Sequence, residues 1–281
     1  PRNYSRKFRG ATDLRTALAV SINSVAFSVT ETLGVQAVHR FARDAGMRSR
    51  LAPGPAIALG SSEVVPLDLV NIYATISSDG QPKPLQFIVR IEGPEGSTKP
   101  DQPPTSEGVG EDVAYLLRSM MRSVVTKGSA RRLRSFPRKI VGKTGTTQKA
   151  RDTWFVGALP DIAFGAWVGY DDGRPLGRGE NGGKTAVPIV KAYVEAIEMD
   201  GPAWGDRPDG VEQRTIIPDA QTNEPRLAPK GEKGGRTEFF LVGTEPTRVA
   251  LAKGEVDDRG FFLNRSEPKP KAEPVKTPTI K

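Results

Sequence analysis

The stretch Arg138-Lys139-Ile140-Val141-Gly142-Lys143-Thr144-Gly145-Thr146-Thr147 constrains this chain more than any other. Ile140 and Val141 read as the start of a β-strand, which then carries a cation, two glycines and hydroxyls at alternate positions. Side chains two apart on a strand share a face, so Thr144 and Thr146 point the same way. Gly142 and Gly145 remove side chains where a ligand's backbone can lie close against the strand. A strand edge of this kind suits an anionic, peptide-like ligand held by main-chain hydrogen bonds and a point charge.

The elements around it give the fold class. Thr12-Asp13 caps a helical pattern with Leu14, Ala17 and Leu18, which breaks at Ser21-Ile22-Asn23. Val25, Phe27, Val29 and Leu33 continue to Gly34, and Val35, Val38, Phe41, Ala42 and Ala45 recur at helical spacing up to Gly46. Pro66 opens another helix through Leu67, Val70 and Ala74. Phe87 to Ile91 is expected as a strand, with a turn at Gly93-Pro94-Glu95-Gly96. A long helix follows on the stripe Val113, Leu116, Leu117, Met120, Met121 and Val124, with Gly128 beyond its end. Trp154–Leu159 and Ile162–Tyr170 make two antiparallel strands around Pro160-Asp161. Gly182-Gly183 leads into a last helix with Val187, Val190, Val194 and Ile197, and Phe239–Val242 is expected as one more edge strand. Helices, then strands, then one packing helix imply an α+β fold with an antiparallel sheet covered by helices.

Composition narrows the chemistry. The chain has no cysteine, which excludes disulfides, thiolate zinc sites and thiol nucleophiles. Its one histidine, His39, lies in a helical pattern away from any nucleophile and is expected to be structural. No apolar run approaches the roughly 20 residues of a membrane span. The net charge of +8 is uneven, with eleven Lys or Arg and no Asp or Glu from Val113 to Arg151. Such a block reads as a solvated basic face or as attraction for anionic ligands. It has few aromatics and resembles no recognition module, so no nucleic-acid partner is expected. Gly177–Lys184 misses the phosphate-loop register by one residue, and Asp171-Asp172 lacks further ligands at calcium-loop spacing.

The motifs together resemble class A penicillin-binding proteins (bifunctional, type 1a-like). The resemblance rests on Ser21-x-Asn23, Ala58-Leu59-Gly60 with Val65-Pro66-Leu67, Lys143-Thr144-Gly145-Thr146-Thr147 and Arg151-Asp152-Thr153-Trp154-Phe155-Val156-Gly157. Trp167-Val168-Gly169-Tyr170-Asp171-Asp172, Gly182-Gly183, Glu238-Phe239-Phe240 and Gly243–Thr247 extend it. It is strong over residues 1–200 and weaker over 200–262. It implies the penicillin-binding transpeptidase, or serine β-lactamase-like, fold, incomplete at the N-terminus. Residues 1–200 are then the C-terminal part of a transpeptidase domain, 201–263 a partly ordered extension, and 264–281 a Pro/Lys-rich disordered tail.

By the same resemblance Ser21, Asn23 and Lys143 are catalytic, and Thr144, Gly145 and Thr146 bind substrate, with no metal or organic cofactor. Ile22 stands where the β-lactamase form has Asp, which fits the looser S-x-N. The only literal S-x-x-K, Ser266-Glu267-Pro268-Lys269, follows K-T-G in the Pro-rich tail and is rejected as the nucleophile motif. The expectation is a truncated peptidoglycan DD-transpeptidase whose serine lies upstream of Pro1 and which folds poorly by itself. Any membrane anchor and glycosyltransferase domain would also lie upstream, and the parent would act at the periplasmic face of the cytoplasmic membrane. Expected partners are peptidoglycan stem peptides, with β-lactams as covalent inhibitors of the intact domain. The rival readings are a non-catalytic peptidoglycan-binding scaffold that kept the fold without the nucleophile, and a β-lactamase or free carboxypeptidase.

Overall fold

The computed structural model describes residues 3, 12–101, 105–197, 200–218, 225–228 and 234–247. The tail expected over 264–281 and the Ser266–Lys269 match lie outside them. Helix α1 (Leu14–Val20) starts where its cap predicts, with the Asp13 carboxylate accepting the Thr16 N–H at 2.8 Å. It stops because Ser21 turns left-handed (φ 58°, ψ 59°), which sends the Ile22 N–H back to the Ala17 carbonyl at 2.9 Å. Helix α2 (Asn23–Leu33) begins immediately, so Ser21 and Asn23 sit at a break between two helices. Gly34, at φ 81° and ψ 144°, joins α2 to α3 (Val35–Asp44) in a conformation that side chains resist.

Helix α4 (Pro66–Ser77) has its proline in the first turn, where no N–H is needed. Helix α5 (Glu111–Thr126) carries Glu111 and Asp112 in its first turn, complementing the helix dipole. Between them lies a small hairpin, β1 (Ile91–Gly93) and β2 (Gly96–Thr98), around the expected turn. The strand expected over Phe87–Ile91 is corrected here: the ladder begins only at Ile91. Phe87, Ile88 and Val89 are 82%, 55% and 68% exposed, so their β-propensity goes unused where no second strand lies alongside.

The sheet that carries Lys143, Thr144 and Thr146 is antiparallel, in the order β3–β4–β5. Its strands are β3 (Val141–Thr146), β4 (Asp152–Ala158) and β5 (Ala163–Gly169). The β4–β5 turn closes through the Leu159 N–H and the Ile162 carbonyl at 2.8 Å, around Pro160-Asp161. On one face Phe155, Phe164 and Leu133 pack with Val187, Val190 and Val194 of α6 (Ala186–Ala196). Deleting a phenyl from such a core position typically costs about 3–5 kcal/mol. On the other face Val141 and Ala158 meet Ile76 of α4 and Met121 of α5. Sheet and helices are therefore layered as the order of elements requires.

The basic block does not form one face. Arg118 is buried, donating to the Ile76 carbonyl at 2.7 Å and pairing with Asp79 at 2.5 Å. Arg122 donates to the Ile140 carbonyl at 3.1 Å, Arg138 pairs with Asp161, and Lys143 turns into the site. Lys127, Arg131, Arg132, Arg134, Lys139, Lys149 and Arg151 are exposed. His39 is structural in its contacts, with Nε2 3.0 Å from the Ala52 carbonyl oxygen.

The chain divides into two compact units, Pro1–Glu212 and Gln213–Lys281. A second sheet has the order β7–β6–β8, from β6 (Val211–Pro218), β7 (Pro225–Leu227) and β8 (Arg236–Leu241). Phe239, Phe240 and Leu241 of the expected stretch thus lie in β8 of this sheet, and Val242 turns away just beyond it. Its strand partner β6 carries charges between its apolar residues and was not expected from its pattern.

Candidate active site

The strand β3 is joined to the sheet along one side only among the described strands. Its register, Thr146 opposite Thr153 and Thr144 opposite Phe155, fixes the direction of its backbone groups. The Thr147 N–H donates to the Asp152 carbonyl at 3.0 Å, so the odd-numbered residues are the hydrogen-bonded pairs with β4. The N–H and C=O groups of Gly142, Thr144 and Thr146 therefore face away from β4. Ile140, in the same alternation, spends its carbonyl on Arg122. The Thr144 carbonyl accepts from Lys143 Nζ at 2.8 Å.

The same ammonium donates to Ser21 Oγ at 2.8 Å, across 122 residues of sequence. The structure thus brings Ser21 and Lys143 together at the mouth of the β3 edge, with Ser21 exposed and Lys143 half-buried. Asn23 opens α2 two residues on and is half-buried. Gly145 lies flat against Trp154, whose Cβ would be 3.1 Å from an added methyl. A side chain at Gly142 would strike Phe155 at 2.5 Å and the Val156 carbonyl at 2.6 Å, so this glycine serves packing within the sheet.

Two groups that the motifs do not name hold the threonine hydroxyls. Ser129 Oγ is 2.5 Å from Thr144 Oγ1. The Gly182 N–H donates to Thr146 Oγ1 at 3.1 Å, which leaves the Thr146 proton free to be donated elsewhere. Gly182 is close-packed, because a Cβ there would lie 2.3 Å from the Trp154 carbonyl and 2.7 Å from that of Gly145. Nothing in the sequence near Ser129 marks it, whereas the glycine pair at 182–183 does signal a close approach.

A serine–lysine pair, an outward backbone N–H at Thr146 and two threonine hydroxyls thus lie together along one strand edge, an arrangement of donors suited to an anion. A family model for the penicillin binding protein transpeptidase domain matches residues 2–195. The chain belongs to this transpeptidase family. Penicillin-binding protein 1A of Aquifex aeolicus (strain VF5) is 36% identical over 198 residues, covering 70% of this chain and 27% of that protein. Penicillin-binding protein 1A of Neisseria cinerea is 31% identical over 220 residues, covering 75% and 28% respectively. The chain therefore spans a little over a quarter of the length of these relatives. Among solved structures, penicillin-binding protein 1A of Haemophilus influenzae superposes with a TM-score of 0.74 at 26% identity, covering 89% of this chain and 43% of that one. The PonA1 protein of Mycobacterium tuberculosis, solved with penicillin V, shares the fold (TM-score 0.61, 22% identity, 71% of this chain and 61% of that one).

In this transpeptidase domain burial lowers the Lys143 ammonium from 10.5 to about 8. The folded state holds this proton more weakly than the unfolded chain, so the charge weighs against folding below pH 8. That penalty fades as pH rises from about 8 to 10.5. The charge itself is present below about 8 and lost above it. Acylation of the upstream-extended parent polypeptide by a carboxylate-bearing β-lactam is accordingly expected to fall as pH rises through about 8. Second-order rates measured from pH 6 to 10 check this, and a profile flat across pH 8 would refute it.

Proposed function

We propose that this chain is the substrate-holding part of a peptidoglycan DD-transpeptidase domain, within a bifunctional cell-wall synthase. The nucleophilic serine of an S-x-x-K segment comes from sequence preceding Pro1. The observation that carries the reading is the 2.8 Å bond from Lys143 Nζ to Ser21 Oγ beside the outward edge of β3. Two motifs 122 residues apart have no packing reason to meet in this way at an exposed hydroxyl.

The chemistry follows by role. The serine oxygen attacks the carbonyl between the two D-alanines of a stem peptide, forming a C–O bond and a tetrahedral oxyanion. The Thr146 N–H, pointing away from β4, supplies half of the oxyanion hole, where losing one donor typically costs about 3–4 kcal/mol. The Thr144 and Thr146 hydroxyls meet the terminal carboxylate, drawn by the Lys143 charge, and Asn23 holds the substrate amide. As the C–N bond breaks, Ser21 passes the serine's proton to the departing D-alanine amine. An amine of a second stem peptide then attacks the serine ester, and the serine recovers its proton as the cross-link forms. Water in place of that amine gives a carboxypeptidase, and a β-lactam leaves a long-lived ester. The site of action is the periplasmic face of the cytoplasmic membrane.

Fluorescent penicillin labelling on a denaturing gel tests the proposal, with the upstream-extended parent run beside these 281 residues. A labelled parent and an unlabelled fragment are expected. A folded parent that takes no label would leave a peptidoglycan-binding scaffold as the better account.

A further inference from the structure

Ser129 lies outside every motif and is held on three sides. Its N–H donates to the Ala19 carbonyl at 3.1 Å, tying it to the last turn of α1, two residues before Ser21. Its carbonyl abuts Gly183, where a Cβ would come within 2.4 Å of it. Its hydroxyl reaches Thr144 Oγ1 at 2.5 Å. Yet the residue is exposed, so its hydroxyl is not needed to satisfy a buried partner.

We propose that Ser129 is a positioning residue of the carboxylate subsite, which sets the specificity of the site for an ionised C-terminus. This rests on the function proposed above. Two hydroxyls at 2.5 Å share one proton between their oxygens, and the pair has one more to give. When Ser129 donates to Thr144, the Thr144 proton is directed outward to an anion, and the chained bonds strengthen one another. Thr144 is β-branched, with few χ1 wells available, so a fixed partner decides which one it keeps. The Ser129 backbone supplies that fixity, because α1 and the glycine loop clamp it before any ligand arrives. Thr146 is prepared in the same sense by the Gly182 N–H. The two outward protons and the Lys143 ammonium then converge on a negative charge, and an ester or amide at that place satisfies them poorly.

The test compares acylation of the parent polypeptide by a penicillin and by its methyl ester. Ser129→Val and Ser129→Thr have the same size and differ by one hydroxyl. The acid-to-ester rate ratio is expected to fall about fivefold to tenfold in S129V, the worth of one neutral hydrogen bond, and to be kept by S129T. Ser129→Ala, checked for an unchanged melting temperature, repeats the loss without added bulk. Equal losses with acid and ester, or a ratio unchanged in both S129V and S129A, would overturn the inference while leaving the proposed function standing. A wild-type parent that neither compound acylates would instead defeat the proposed function, and this inference with it.

Discussion

Replacing Lys143 by methionine is expected to lower acylation of the parent polypeptide by fluorescent penicillin by about a hundredfold to a thousandfold, without loss of stability. The ammonium reaches Ser21 Oγ and the Thr144 carbonyl, each at 2.8 Å. It is a charge carried by β3 itself, and removing one preorganised electrostatic group from such a site typically costs about 10²–10³ in rate, roughly 3–4 kcal/mol. Stability should move the other way. Burial has already pushed the group to about 8, so at pH 7 the folded state carries a charge it solvates poorly. Methionine keeps the length and the apolar stem while removing that penalty. The melting temperature of K143M at pH 7 is therefore expected to match or exceed that of the unsubstituted protein. Acylation within tenfold of normal would show that Lys143 is not the group that holds the anion and tunes Ser21. A lowered melting temperature would show that it is chiefly structural.

Gly128→Ala is expected to do the opposite, destabilising the fold and disabling a site that it does not touch. An added Cβ would lie 2.1 Å from the Ala19 carbonyl oxygen, 2.8 Å from its carbon and 2.9 Å from the Val124 Cα. All three are backbone atoms, so no side chain can swing aside. The collision forces α1 away from α5 exactly where the Ser129 N–H bonds Ala19, and overpacking of this kind typically costs about 1–3 kcal/mol. For a unit of this size that is a fall of about 2–12 °C in melting temperature, at about 2–4 °C per kcal/mol. Because Ser21 follows Ala19 by two residues, its distance to Lys143 Nζ should open and acylation of the parent polypeptide carrying the substitution should fall at least tenfold. Calorimetry and labelling of the same preparation check both effects. A melting temperature and labelling rate like those of the unsubstituted protein would mean that the helices part without disturbing the site.

Local signals were strong enough to be read directly wherever one or two residues decide the backbone. Asp13 as a cap, Pro66 in a first turn, the hairpin at Pro160-Asp161 and the ends at Gly34 are of this kind. The α+β class followed from the order of elements, and the transpeptidase family from motifs whose spacing few other chains share. The strand expected from Phe87 failed for a tertiary reason, since apolar β-formers make a strand only where a second strand offers its hydrogen bonds. The charged strand β6 escaped notice because its residues do not alternate cleanly.

By itself, then, the sequence singled out the candidates: a serine and an amide at a helix break, a cation and hydroxyls on a glycine-bearing strand. Only the tertiary structure decided which of them meet. Nothing local shows that Lys143 reaches Ser21, or distinguishes Ser129 from any serine after a helix. Sequence patterns record the preferences of neighbours along the chain, a few residues apart. The Lys143–Ser21 bond and the Ser129–Ala19 bond are set by how α1, α5 and β3 pack, through contacts that span more than a hundred residues and leave no periodic trace.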